Sequence, residues 1–371
     1  MTPRLMQAGL MLVLTACGAS PSATAQDNAP AQRPFTVTPV AQFDTPWAMA
    51  FLTGSGRPLL DVALVTEKDG RLWLVDSRSG RKWPVSGVPK ARVEGQGGLG
   101  DVVVHPEFVV NRRVYLSFVE AEPNGTSGAA LGYGTLDLKD RDRPALRGFK
   151  VIWRQEPKVS GSGHFSHRIA FARDGTIFLS SGDRQKMDPA QDRNSDLGKI
   201  IHFTAEGQRI GGRFHSLGHR NVLGLAFAPD GRLWGTEMGP RGGDELNLIE
   251  QGKNYGWPRA SYGSHYGGVP IPDDHAAKGF AEPKLWWKPS ISPAGLIVYS
   301  GDLFRQWKGD AIFGALSGQA LLRADLNGAS ARKADQWDMG ARIREVEQGP
   351  RGEIYLLEDG GRLLRLEPIG R

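Results

Sequence analysis

Three stretches of this 371-residue sequence hold side chains of the right types and spacing for chemistry. The first is Ser160-Gly161-Ser162-Gly163-His164-Phe165-Ser166-His167-Arg168, a Gly/Ser loop that presents a histidine at the start of a strand. Imidazole titrates near neutral pH, so His164 is placed to act as a general base; a solvent-exposed bystander is the competing description of a lone loop histidine. His164 and His167 together also raise zinc, but no third or fourth ligand stands nearby. The second stretch is Ser216-Leu217-Gly218-His219-Arg220-Asn221. Arg220 offers a planar fork to carboxylates and Asn221 a donor and an acceptor to carbonyl-type groups; a loop held by surface ion pairs is the alternative. The third runs Glu237-Met238-Gly239-Pro240-Arg241-Gly242-Gly243-Asp244-Glu245-Leu246-Asn247 and leads to Asn254-Tyr255-Gly256-Trp257-Pro258. Its glycines let carbonyls turn inward and its acids add carboxylates, the oxygen donors that calcium takes; a charged surface turn fits the composition as well. Asp192-Arg193-Asn194-Ser195-Asp196 opens like an EF-hand loop but fails, with Leu197 at the glycine position and Phe203 at the glutamate position.

The elements that must position these loops are read from a recurring pattern. A turn residue is followed two positions later by an aliphatic and then an aromatic side chain: Gly70-Arg71-Leu72-Trp73, Arg112-Arg113-Val114-Tyr115, Gly175-Thr176-Ile177-Phe178, Gly231-Arg232-Leu233-Trp234, Asp310-Ala311-Ile312-Phe313 and Gly352-Glu353-Ile354-Tyr355. Three copies follow Asp-Gly, a hairpin signal because both turn positions must accept positive φ. An apolar run precedes each turn, so every unit reads strand, turn, strand. The units recur on average every ~56 residues, and a small sheet cannot bury both faces without neighbours, so the pattern predicts an all-β, six-bladed β-propeller over 35–371. Two β-sandwiches would explain the hairpins but not the sixfold recurrence. The widest gap, between Trp234 and Phe313, contains the third chemical stretch.

Composition agrees. The chain is 40% hydrophobic, enough for a sizeable core, and Gly and Pro make up about a fifth of it, which suits turns rather than long helices. The formal charge is +6, but basic residues alternate with acidic ones, as in Arg342-Ile343-Arg344-Glu345, so nucleic-acid binding is not expected. Cys17 is the single cysteine, which excludes an intrachain disulfide. Residues 1–16 carry one early charge, Arg4, and an apolar run that ends at Leu14-Thr15-Ala16-Cys17, a sequence similar to the lipobox of bacterial lipoproteins. The expectation is a lipoprotein signal over 1–16, lipid on Cys17, a flexible tether over 17–34 rich in Ala, Ser, Pro and Gln, and a protein exported to the periplasmic side of a bacterial membrane. An ordinary signal peptide cleaved near Ala25 is the other reading.

Taken together, Gly218-His219-Arg220-Asn221, Gly239-Pro240, Asp244-Glu245 and Asn254-Tyr255-Gly256-Trp257-Pro258 resemble the soluble sugar dehydrogenases dependent on pyrroloquinoline quinone (PQQ), in particular the aldose sugar dehydrogenase branch. The resemblance runs over about 46–368. It implies a six-bladed propeller that holds PQQ, a tricarboxylate, together with calcium at one end of the channel. It implies His164 as catalytic base with Arg220 assisting, and cofactor contacts from Gln96, His164, Arg220, Asn221, Tyr266, Ala315, Leu316, Ser317, Arg342 and Arg344. Gly239 and Pro240 would give carbonyls to the calcium beside PQQ; Glu245 and Tyr255 would hold a second, structural calcium.

The sequence departs from the family pattern at Ser317, where relatives often carry lysine, and at His167, where they usually carry glycine. Gly163 precedes the base as in the aldose branch. The implied reaction oxidises the anomeric hydroxyl of an aldose to a lactone, with electrons passed to an external quinone or cytochrome. A calcium-dependent lactonase and a non-catalytic binding propeller are the two rival expectations; the first requires side-chain carboxylates converging on one metal in the channel.

Overall fold

The computed structural model describes residues 32–53 and 61–370. Residues 1–31, with the expected signal and Cys17, lie outside the described residues. Six four-stranded antiparallel sheets surround a channel, as the repeat pattern predicts. Their innermost strands are Pro46–Phe51, Leu99–Val104, Ser166–Phe171, Val222–Phe227, Pro293–Val298 and Ile343–Gln348. Each packs against the innermost strands of both neighbouring blades, which closes the ring. Helix is confined, among the described residues, to Phe108–Asn111 and three shorter turns.

The aromatic repeat marks the second strand in five blades and slips in the first. Tyr115, Phe178, Trp234, Phe313 and Tyr355 lie on second strands, whereas Trp73 lies on Leu72–Asp76, the third strand of its blade. An Asp-Gly pair identifies a hairpin but not which one, and here Asp69-Gly70 joins the second and third strands. The blade count is unaffected, since the slip moves one hairpin within a blade.

The last blade is assembled from both ends of the chain. Ile343–Gln348, Ile354–Glu358 and Arg362–Pro368 are joined on the outer edge by Phe35–Gln42, paired from Phe35 opposite Pro368 to Gln42 opposite Arg362 with one register shift between Pro39 and Ala41. Phe35 is 3% exposed and packs edge-on against Trp307 and Trp337, with ring centroids 6.2 and 5.3 Å away. Burying a side chain of that size contributes about 1.5–3 kcal/mol, so one residue goes far towards anchoring the strand. Arg33 and Pro34, placed in the tether by the sequence, already bond to the body: Arg33 Nε donates to the Asp338 carbonyl at 2.9 Å, and the Ile369 N–H donates to the Pro34 carbonyl at 3.1 Å.

One irregularity recurs in every blade. The pairing of the innermost strand with the second shifts register between Pro46 and Ala48, Leu99 and Val102, Ser166 and Ile169, Val222 and Gly224, Pro293 and Leu296, and Ile343 and Glu345. Such bulges turn a side chain out of the alternating pattern. The residues inside the shifts include Trp47, His167, Leu223 and Arg344, and these four face one cavity.

Candidate functional site

That cavity, about 290 Å³, opens where the innermost strands begin, and is lined by Gln96, Asn221, Leu316, Arg342 and Arg344 from the sequence-derived set, with Lys68, Trp47, Phe165 and Met238 among the others. Arg342 and Arg344 are fixed by one carboxylate: both Nε atoms donate to Asp359 at 2.8 Å. Three cations, Lys68, Arg342 and Arg344, therefore face a single acid. The excess of positive charge suits a ligand with several carboxylates, and arginine forks suit carboxylate geometry.

His164 stands beside this cavity, its backbone N–H donating to Gln96 Oε1 at 2.7 Å. Its Nδ1 lies 2.7 Å from Oδ1 of Asp183, which is fully buried. The other Asp183 oxygen accepts the Trp257 indole N–H at 2.8 Å. A carboxylate on Nδ1 fixes the tautomer with the proton there and leaves Nε2 as the basic atom. Burial holds the His164 pKa below the ordinary histidine value, against the opposing pull of Asp183, so the ring is neutral at neutral pH and able to accept a proton. The sequence did not single out Asp183; its only signal was an acid just past strand Ile177–Ser181, whose end pairs with the start of the strand that follows the histidine.

The loops around the base are strained. Of ten non-glycine residues with positive φ among those described, six are His164, Ser166, His167, Arg184, Gln185 and Met187. Such backbone costs about 1–3 kcal/mol per residue and persists where surrounding bonds over-determine it. Arg184 supplies some of those bonds: Nε donates to the Gly163 carbonyl at 3.0 Å and Nη1 to the Ser127 carbonyl at 2.6 Å, with the guanidinium 3.7 Å from the Phe165 ring centroid.

His167 has a different fate. Its Nδ1 lies 2.7 Å from Ser117 Oγ, its ring stacks on Trp47 at 5.0 Å, and burial lowers its pKa to about 3. A Cβ on Gly100 would fall 1.8 Å from the His167 ring, so the space His167 takes is provided by a glycine in the next blade. It builds the cavity floor rather than a metal site. Among the described residues no group of three or more His, Cys, Asp or Glu side chains is arranged to hold a metal.

A cation would therefore depend on carbonyls. Among the described residues, no backbone N–H donates to the carbonyls of Gly239, Pro240 or Tyr255. A void of about 10 Å³ lies between Gly239, Glu245, Tyr255, Glu237 and Arg220. Glu245 sits opposite Glu237 on the adjacent strand, and burial, then Glu237, raises its pKa well above the carboxylate range. Asn247 donates to Glu245 Oε2 at 3.0 Å, and its own Oδ1 is buried without a hydrogen-bond partner. Buried oxygens in excess of donors fit a hard cation. The Tyr255 phenol is already engaged, accepting from the Glu250 N–H at 2.9 Å and donating to the Leu248 carbonyl at 2.5 Å, so only its carbonyl is free to ligate. Asp244 is taken up as well: it accepts from Gly239 N, Ser290 Oγ, Ile291 N and Ser292 N, which ties the glycine loop to the next blade.

The remaining sequence-derived residues divide. Arg220 donates through Nη1 to the Met238 carbonyl and through Nη2 to the Tyr266 hydroxyl, both at 3.0 Å. Tyr266, Pro240 and Ser317 line an outer cleft that shares Ser292 with the inner cavity. Ala315 is not in either: it is completely buried in the apolar core beside Phe313, because it ends an inward-packed strand.

Farther along the same innermost strands lies a second cavity of about 250 Å³, lined by Asp101, Arg168, Glu345 and Glu347 among apolar side chains. Arg168, 4% exposed, reaches Glu345 at 2.5 Å and Asp101 at 3.2 Å, and its guanidinium lies 4.0 Å from the Trp47 ring centroid.

The sequence model of the glucose/sorbosone dehydrogenase family matches residues 43–365. The chain is 36% identical over 345 residues to aldose sugar dehydrogenase YliI of Escherichia coli, an alignment covering 88% of this chain and 91% of that one. Its structure superimposes on the crystal structure of the soluble aldose sugar dehydrogenase from Escherichia coli with a TM-score of 0.83 at 35% identity, covering 90% of this chain and 99% of that one. The PQQ-bound form of the aldose sugar dehydrogenase from Streptomyces coelicolor gives a TM-score of 0.72 at 28% identity, with coverage of 91% and 99%.

Proposed function

The chain belongs to the glucose/sorbosone dehydrogenase family, an oxidoreductase acting on sugar CH–OH groups, and we propose that it uses PQQ and calcium to oxidise the anomeric hydroxyl of aldoses to lactones. The observation that carries the reading is the His164–Asp183 pair beside a cavity with three cations and one acid. When bound, the quinone with its calcium supplies the acceptor for the hydride and its two electrons.

The chain's own residues do the rest. Arg342 and Arg344, held apart and aimed by Asp359, bind carboxylates; Gln96 and Asn221 add amide contacts, and Gly239 and Pro240 offer carbonyls to the cation. His164 Nε2 takes the proton of the anomeric hydroxyl as the carbon loses hydride, leaving a lactone carbonyl. Asp183 stabilises the imidazolium that forms, and Trp257 keeps Asp183 in place. Arg220 adds positive charge near the reacting atoms.

Export, lipid attachment at Cys17 and a periplasmic setting belong to the same proposal, supported by the sequence around residues 1–34. The lactonase alternative would need channel carboxylates free for a metal; Asp101 and Glu345 are instead gathered on Arg168.

Reconstitution with PQQ and calcium, followed by dye reduction across a panel of aldoses, tests the reading. Activity is expected only with both additions, and none across the panel would refute it. His164→Ala should lower turnover by about 10²–10⁴ while PQQ, titrated by absorbance, still binds. Chelation should lower the unfolding temperature of the native protein, and Glu245→Gln should remove that effect.

A further inference from the structure

We propose that Lys68 is a cofactor-binding residue, the third cation of the inner cavity, and contacts a carboxylate of the bound quinone. The inference rests on the reading above and deepens it.

Lys68 follows strand Val62–Glu67 and lines the cavity with Arg342 and Arg344. Its Nζ donates to the Gly95 carbonyl at 2.8 Å, which uses one of the three ammonium N–H groups. Asp359 is shared by the two arginines, and among the described residues no carboxylate lies within ion-pair distance of Lys68. The ammonium is thus half-buried beside like charge without an acid of its own. Burial and the nearby Arg344 guanidinium both push its pKa down, the expected cost of that placement. An anionic ligand would remove the cost, which is how a site prepared for a polyanion differs from a surface lysine.

The backbone fixes where the side chain starts. The Leu99 N–H donates to the Lys68 carbonyl at 3.1 Å, and a Cβ at Gly98, where φ is +149°, would fall 2.2 Å from the same oxygen. Lys68 is therefore locked against the 95–98 loop that carries Gln96, which bonds the His164 backbone. This also answers the loss of charge at Ser317: the serine hydroxyl is spent on Ser292 Oγ at 2.8 Å, and the inner cavity has a cation from a different blade.

A role limited to pinning Gly95 predicts something else, and ionic strength separates the two. PQQ is titrated into the calcium-loaded protein at several salt concentrations, with binding read from tryptophan fluorescence. Lys68→Met should weaken binding about tenfold to hundredfold and make it less sensitive to salt, whereas Lys68→Arg should stay close to wild type. Lys68→Gln serves as a second neutral variant should the methionine protein fail to fold. Wild-type affinity in the neutral variants, or weaker binding with unchanged salt sensitivity, overturns the proposal and leaves the PQQ reading standing. Absence of PQQ binding by the wild-type protein overturns both.

Discussion

The channel holds two cavities of similar size and opposite charge. In the one beside His164, Lys68, Arg342 and Arg344 face Asp359 alone; in the one farther along the innermost strands, Asp101, Glu345 and Glu347 face Arg168 alone. They are separated by Trp47, with His167 stacked against its ring and Arg168 set 4.0 Å from the ring centroid. Each set carries surplus charge, but the surpluses are managed differently. The carboxylates around Arg168 are buried, and burial pushes Glu345 up to about 8 and raises Asp101 and Glu347, so part of their surplus charge can be relieved by proton uptake. Guanidinium groups cannot shed their protons at ordinary pH, so the surplus beside His164 is offset only by an anion. Protons can offset charge in one cavity, whereas the other calls for an anionic group.

The comparison is broken most severely at its hub. Arg168→Met should destabilise the fold by about 3–5 kcal/mol in denaturant titrations, because it strands Asp101 and Glu345 in the interior. Arg342→Met should change stability by less than about 0.5 kcal/mol and instead weaken PQQ binding, since Arg342 is exposed and Asp359 keeps Arg344. Equal losses of stability in the two variants would erase the distinction.

The pH dependence sharpens it. Carboxyls of the unfolded chain ionise near pH 4, whereas folded Glu345 holds its proton to about 8. The folded state thus binds more protons across this window, and the stability contributed by the cluster is present below about pH 4 and lost as pH rises towards about 8. Unfolding free energies measured from pH 5 to 9 should fall less steeply in Glu345→Gln. An unchanged slope would mean that the cavity around Arg168 keeps its charges. The smallest effect belongs at the rim: Ser317→Lys should tighten PQQ binding by no more than about fivefold, as an exposed cation in the open outer cleft contributes little.

The sequence made the ring readable because its signals are local. The aliphatic-aromatic pair in every blade, and the Asp-Gly turn before it in three, sit within a few positions, and the catalytic loop and the glycine loop are each one contiguous stretch. What it hid depends on strands and blades that meet only in space. Asp183 meets His164 across two paired strands of one blade, Lys68 joins Arg344 from the other end of the chain, and Asp359 becomes legible only as the bridge between two arginines. The six register shifts have no composition of their own, so nothing in the chain announces that Trp47, Leu223 and Arg344 turn towards the channel. Asp244 and Ala315 show the converse, since a side chain at a motif position is taken up by the scaffold itself.

The closing strand has a consequence for synthesis. Thr36 bonds to the Glu367 carbonyl across 331 positions, so the edge strand of the last blade has no partner until nearly the whole chain has left the ribosome. Five blades can be made in order, but the first strand to emerge must wait, unpaired, for the last.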